Sequence, residues 1–127
     1  MNRTIISTPN APQPKAPIYQ AVRSGNHLYV SGITPFTLDL HLAKGDFEEQ
    51  MRQTMSNLNA ILEAAGTSFS RILKCTVILG RRGDWHAMNA IYQSYWPAGD
   101  YPARTAFEAL FPHPDFLVQV ECVAEVG

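Results

Sequence analysis

Apolar side chains recur along this chain with two distinct periods. From Asp46 to Ala65, Phe47, Met51, Met55, Leu58, Ile61, Leu62 and Ala65 fall at three- and four-residue spacing, which is one face of a helix. Gly66 ends it. A second helix starts at Gly83-Asp84, stacks Trp85, Met88, Ile91, Tyr92 and Tyr95 along one side, and stops before Pro97. The aromatic stripe reads as core packing. Elsewhere the pattern is that of strands: Thr4-Ile5-Ile6, then Tyr19 to Arg23 and Leu28 to Gly32 around the tight turn Ser24-Gly25-Asn26-His27, and later the β-branched run Ile72 to Leu79. Pro9, Pro12, Pro14 and Pro17 forbid regular ladder pairing between the first two strands. That segment reads as an extended external linker in preference to the wall of a cleft.

The chain closes with two further apolar runs, one opening at Pro102-Ala103-Arg104-Thr105 and one spanning Leu117 to Ala124. Phe111-Pro112-His113-Pro114-Asp115 between them has turn chemistry, so the pair reads as an antiparallel hairpin. With its turn near His113, Arg104 would lie about opposite Cys122 and one step from Glu121. An arginine fork matches a carboxylate in two parallel hydrogen bonds, and a neighbouring glutamate is able to take a proton from water. The juxtaposition predicts a small-acid site; its structural alternative is an ion pair at an interface.

These elements predict an α+β domain over residues 1–127, a mostly antiparallel sheet of about six strands with two helices on one face. The other face stays bare in a single chain. In the last strand Leu117, Gln119, Glu121 and Val123 share that side, apolar and polar together, so burial against further copies is expected.

The chain has 127 residues, 46% of them hydrophobic, enough for one sizeable core. Net charge is -1 and the sequence pI is about 6.4, so no global positive field recruits nucleic acid or an anionic membrane. Arg81-Arg82, the only adjacent basic pair, reads as a solvated loop. No apolar run reaches the ~20 residues of a membrane span, and no signal peptide is evident, so a cytoplasmic protein is expected. Cys75 and Cys122 sit in strand-like runs and read as buried free thiols. The four histidines have no ligand spacing, and neither a metal site nor a phosphate loop or nucleophile elbow is expected.

Gln20-Ala21-Val22, Gly25-Asn26, Val30-Ser31-Gly32, Gln50, Gln53, Asn57-Leu58, Ala64-Ala65-Gly66, Asn89 with Tyr92, Pro102-Ala103-Arg104-Thr105 and Val120-Glu121 occur in the order and spacing of the reactive-intermediate deaminase family, also called Rid or YjgF proteins. The resemblance covers nearly the whole chain. It implies a chorismate-mutase-like fold of the bacillus type, a homotrimer with clefts between subunits, and cofactor-free, metal-free hydrolysis of 2-iminopropanoate and 2-iminobutanoate to 2-oxo acids and ammonia. The family serves in metabolite damage control. By the same resemblance Arg104 binds the substrate carboxylate with help from the Ala106 amide, Glu121 positions or deprotonates water, and the Gly32 backbone, Asn89 and Tyr19 support the substrate.

Three departures alter these expectations. Pro17-Ile18-Tyr19-Gln20 stands where typical deaminases carry Pro-Tyr-Ser-Gln, so the tyrosine is displaced by one position. Ile33 replaces a glutamine, and Ala106 a frequent cysteine. With Ile18 and Ile33 the pocket becomes more apolar, which extends the implied substrates to a larger imine or a ring-derived amine such as 2-aminomuconate. The same cleft without turnover would make a trimeric small-carboxylate-binding module. Ribonuclease activity, also credited to the family, fits poorly with the acidic pI.

Overall fold

Asp46 starts the longest element of the fold. Its extended backbone and its carboxylate, which accepts from the Glu49 amide at 3.1 Å, cap helix α1 (Phe47–Ala64). The apolar stripe of α1 is buried from Phe47 to Leu62. Each large side chain so buried stabilises the fold by roughly 1.5–3 kcal/mol.

The computed structural model describes residues 2–127. Strands β1 (Thr4–Ile6), β2 (Ala21–Ser24) and β3 (His27–Ile33) precede α1, followed by β4 (Ile72–Leu79), α2 (Trp85–Gln93), β5 (Ala103–Glu108) and β6 (Val118–Glu125). They form one six-stranded sheet in the order β1-β2-β3-β6-β4-β5. Every neighbouring pair is antiparallel except β4 and β5. Val118, Val120, Cys122 and Ala124 of β6 and Ile72, Cys75, Val77 and Leu79 of β4 are buried, and the helices cover that side. The two-residue turn between β2 and β3 follows from Gly25, whose φ is 62°.

The expected closing hairpin does not form. β5 pairs parallel with β4 through the crossover helix α2, and β6 pairs on the other side of β4. The partition follows polarity. β6 buries alternate side chains and takes a central place, whereas β5, Ala-Arg-Thr-Ala-Phe-Glu, contains no fully buried residue and takes the edge.

The proline segment is no linker either. The buried Gln20 amide accepts from Thr8 N at 2.7 Å and donates to the carbonyls of Thr8, Ala11 and Pro12 at 3.1, 3.4 and 3.2 Å. Gln13 Nε2, within the strap, donates to the Thr8 and Ala11 carbonyls as well, at 2.9 and 3.3 Å. Prolines remove ladder donors, and these two glutamines supply partners that the strap's remaining polar groups need.

Candidate functional site

Arg104 projects from the edge strand toward α2. Its Nη1 donates to Asn89 Oδ1 at 2.7 Å and touches Met88 Sδ at 3.4 Å, while the guanidinium lies 4.9 Å from the Tyr92 ring centre and 5.5 Å from that of Trp85. The aromatic faces favour the cation, and Asn89 fixes its plane. Among the described residues these bonds use Nη1 alone, which leaves Nε and Nη2 for an incoming anion. The α2 side chains expected merely to pack therefore include a platform for Arg104. The exposure of Trp85, 39%, is the sign that its ring does more than fill the core.

Ala106 lies two residues along the same edge. Ala109 N donates to Leu79 O at 2.9 Å, which fixes the parity of the parallel ladder: odd residues of β5 bond to β4, and the amides of Arg104, Ala106 and Glu108 point to the open edge. A free N–H at Ala106 thus accompanies the guanidinium.

Glu121 is elsewhere. Cys75 is the register partner of both Arg104 and Cys122, whereas Thr76 is that of Thr105 and Glu121. Arg104 therefore faces the helices and Glu121 the bare side, with β4 between their strands. The structure does not bring them to one place within a chain. Glu121 is exposed and borders a shallow depression of about 170 Å³ with Tyr29, Lys74, Thr76 and Val123.

Beside it, Gly32 and Tyr19 line a larger chamber of about 530 Å³, roofed by the proline strap. Gly32 is glycine for a packing reason: the Gln119 amide occupies the space a Cβ would need. Tyr19 lies outside β2, half exposed, and its carbonyl accepts from Ser31 Oγ at 2.6 Å. The six candidate residues thus fall into two groups, Arg104, Asn89 and Ala106 at the β5 edge, and Glu121, Gly32 and Tyr19 around the bare face and chamber.

Behind Arg104 the Tyr92 hydroxyl is buried without a hydrogen-bond partner, close to the Cys75 thiol. Burial pushes the Cys75 thiol up to about 11, and raises Cys122 and the Tyr92 phenol further. Neither thiol is a nucleophile at neutral pH. Among the described residues no cluster of His, Cys, Asp and Glu is arranged to hold a metal ion, and no helix is long and apolar enough to cross a membrane.

A model of the family described as Endoribonuclease L-PSP matches residues 8–126. The chain belongs to this family, the Rid proteins. Among its Rid relatives, a RutC family protein of Pyrococcus horikoshii is 38% identical over 96% of this chain and 97% of its own. A mouse protein named 2-iminobutanoate/2-iminopropanoate deaminase is 34% identical over 98% of this chain and 93% of its own. Two solved structures share the fold. A Rid family protein of unknown function, YyfA from Yersinia pestis, superimposes with a TM-score of 0.93 at 33% identity, covering 98% of this chain and 100% of that one. TdcF of E. coli with bound serine has a TM-score of 0.89 at 28% identity, covering 98% and 99%.

Proposed function

We propose that this Rid protein hydrolyses 2-imino acids to 2-oxo acids and ammonia in clefts between copies of itself. The observation that carries the reading is the Arg104 cradle. Its guanidinium is held by Asn89 and backed by two aromatic rings, beside a free backbone donor at Ala106. Such a preorganised fork suits a carboxylate. The deaminase name of the mouse relative and the serine bound to TdcF agree with a small amino-acid-like ligand.

The chemistry needs little else. Water adds to C2 of the imine while Glu121 takes one water proton and returns it to nitrogen; as the resulting carbinolamine collapses to the carbonyl, its hydroxyl proton passes through the same carboxylate to the amine, which leaves as ammonia. Because Glu121 and Arg104 face opposite sides of the sheet, the site takes its carboxylate clamp from one copy and its base from another. The bare face supports this. Ile5, Val22, Tyr29 and Val123 form an apolar row across it by register, and Ile78 and Phe107 a second. A homotrimer that covers these rows would also bury Glu121.

A coupled assay tests the reading, with an amino-acid oxidase generating imines and their loss timed with and without this protein. Acceleration is expected, reduced on the order of a hundredfold or more in Arg104→Ala. Glu121→Gln should abolish turnover and keep 2-oxo acid binding. Binding without acceleration for any imine would instead assign the cleft to a non-catalytic carboxylate-binding module.

A further inference from the structure

We infer that the chamber beneath the proline strap is the subsite for the substrate's side chain, so that the preferred substrates are 2-imino acids with branched or aromatic substituents. The inference rests on the deaminase reading and adds to it the substrate class.

The chamber is a preformed space. Its volume, about 530 Å³, lies within the usual range of small-molecule sites. Three buried amides hold its walls apart. Gln20 pins the strap, as described above. Asn57 of α1 donates to the carbonyls of Thr34 and Phe36 at 3.0 and 2.8 Å, fixing the segment after β3. Gln50 donates to the carbonyls of Ala43 and Asp115, each at 3.0 Å, and accepts from Leu117 N at 2.8 Å, tying that segment to the approach of β6. Asn57 Oδ1 accepts from Gln53 Nε2 at 2.9 Å, and the other bonds of the three side chains go to backbone, so they brace the chamber and do not read a ligand.

What faces the space is largely apolar: Ile18, Ile33, Phe36, Leu40, Ile61 and Phe116. Such a lining disfavours a charged or strongly hydrated substituent and favours hydrocarbon. The methyl of the alanine-derived imine would leave most of it unfilled.

Position links the chamber to the reaction. Gln119 lines the chamber and lies two residues from Glu121, on the same side of β6. Gly32 admits its side chain across β3. With C2 of a substrate beside Glu121, a substituent directed along β6 toward Gln119 enters the chamber, while the carboxylate is left to the arginine of the neighbouring copy.

The test compares kcat/KM for imines of alanine, leucine and phenylalanine in the intact protein, in Ala16→Phe, which puts a ring into the chamber from the strap, and in Ile18→Gln, which makes its wall polar. Both positions are exposed, so folding is spared. The intact protein should favour the leucine or phenylalanine imine by at least about tenfold, and both variants should lower that ratio. An alanine imine turned over as well as the larger ones, or a ratio unmoved in both variants, overturns the inference. Calorimetric titration with pyruvate and 4-methyl-2-oxopentanoate is the second arm. If no imine is hydrolysed, the deaminase reading fails alone, and the chamber assignment is kept by tighter binding of the branched acid, lost in Ala16→Phe, or overturned by equal binding.

Discussion

Arg104 and Glu121 occupy neighbouring rows of one sheet and point to opposite faces of it, the arginine bound to Asn89 on α2 and the glutamate exposed beside Thr76. A site that uses both therefore needs two chains. Mixed oligomers give the most direct check. Chains carrying Arg104→Ala and chains carrying Glu121→Gln, co-expressed with different tags and purified through both, should regain activity far above either parent. In a mixed trimer one cleft receives an intact arginine from one chain and an intact glutamate from its neighbour, which predicts roughly a third of the native rate. Mixed oligomers no more active than the parents would show that the two residues do not meet across an interface.

Much of this arrangement was legible in the chain, and the remainder fails for identifiable reasons. The α1 stripe, the run Ile72 to Leu79 and the Gly25 turn are set by local periodicity and backbone preference, and they appear where expected. The pairing of β5 is a different kind of fact. Turn residues between two strands suggest a hairpin, but β4 offers two edges, and burial decides which strand takes each. The Asn89–Arg104 bond spans 15 residues through the β4-α2-β5 crossover, so it became visible only with that pairing. The proline strap resembles a linker in sequence because its buried restraint, Gln20, lies outside it, and no local pattern reveals that burial.

Asn89 should act through Arg104. Asn89→Ala removes the acceptor 2.7 Å from Nη1 and frees the guanidinium to swing. The expected result is about a tenfold weaker affinity for 2-oxo acids, with the fold unchanged. Asn89→Asp should be worse for binding, since a carboxylate at that place pairs with the arginine and repels the ligand's own. Calorimetric titration of both variants with pyruvate is the measurement; an aspartate variant that binds as well as the native chain would remove Asn89 from the site.

The strap depends on Gln20. With its side chain gone, Thr8 N and the Pro12 carbonyl lose their side-chain partner, and the carbonyls of Thr8 and Ala11 keep only Gln13 Nε2, at 2.9 and 3.3 Å. Gln20→Ala should cost about 2–4 kcal/mol and open the segment before β2 to proteolysis. Urea unfolding gives the first quantity and limited digestion mapped by mass spectrometry the second. Cleavage confined to the termini would mean that the strap is held by something else.

Gly32 and Gln119 form a pair whose coupling a double-mutant cycle is able to isolate. A methyl at residue 32 would enter the space of the Gln119 amide, so Gly32→Ala should destabilise by about 1–3 kcal/mol. In a Gln119→Ala background the same change should cost much less, because the obstructing group is a flexible side chain. Equal penalties in both backgrounds would place the demand for glycine in the backbone and not in this contact.

Stability should fall as the solution becomes strongly alkaline. The Cys75 thiol, raised from 9.0 to about 11 chiefly by burial, stays protonated in the fold over a range where the unfolded chain has already released its proton. The unfolded state then binds fewer protons, so the unfolding free energy decreases with rising pH across that window, by about 2–3 kcal/mol for a shift of this size. Cys122 and Tyr92 are raised in the same sense, so they add to the loss within that window and continue it above. Urea titrations under reducing conditions between pH 7 and about 11 should therefore show a plateau, then a decline beginning near the ordinary thiol value. Cys75→Ala, though less stable at neutral pH through the cavity it leaves, should decline less steeply. If the two slopes coincide, the thiol facing Tyr92 already titrates normally in the folded state, and the packing behind Arg104 is wetter than the sealed contact of Cys75 with Tyr92 requires.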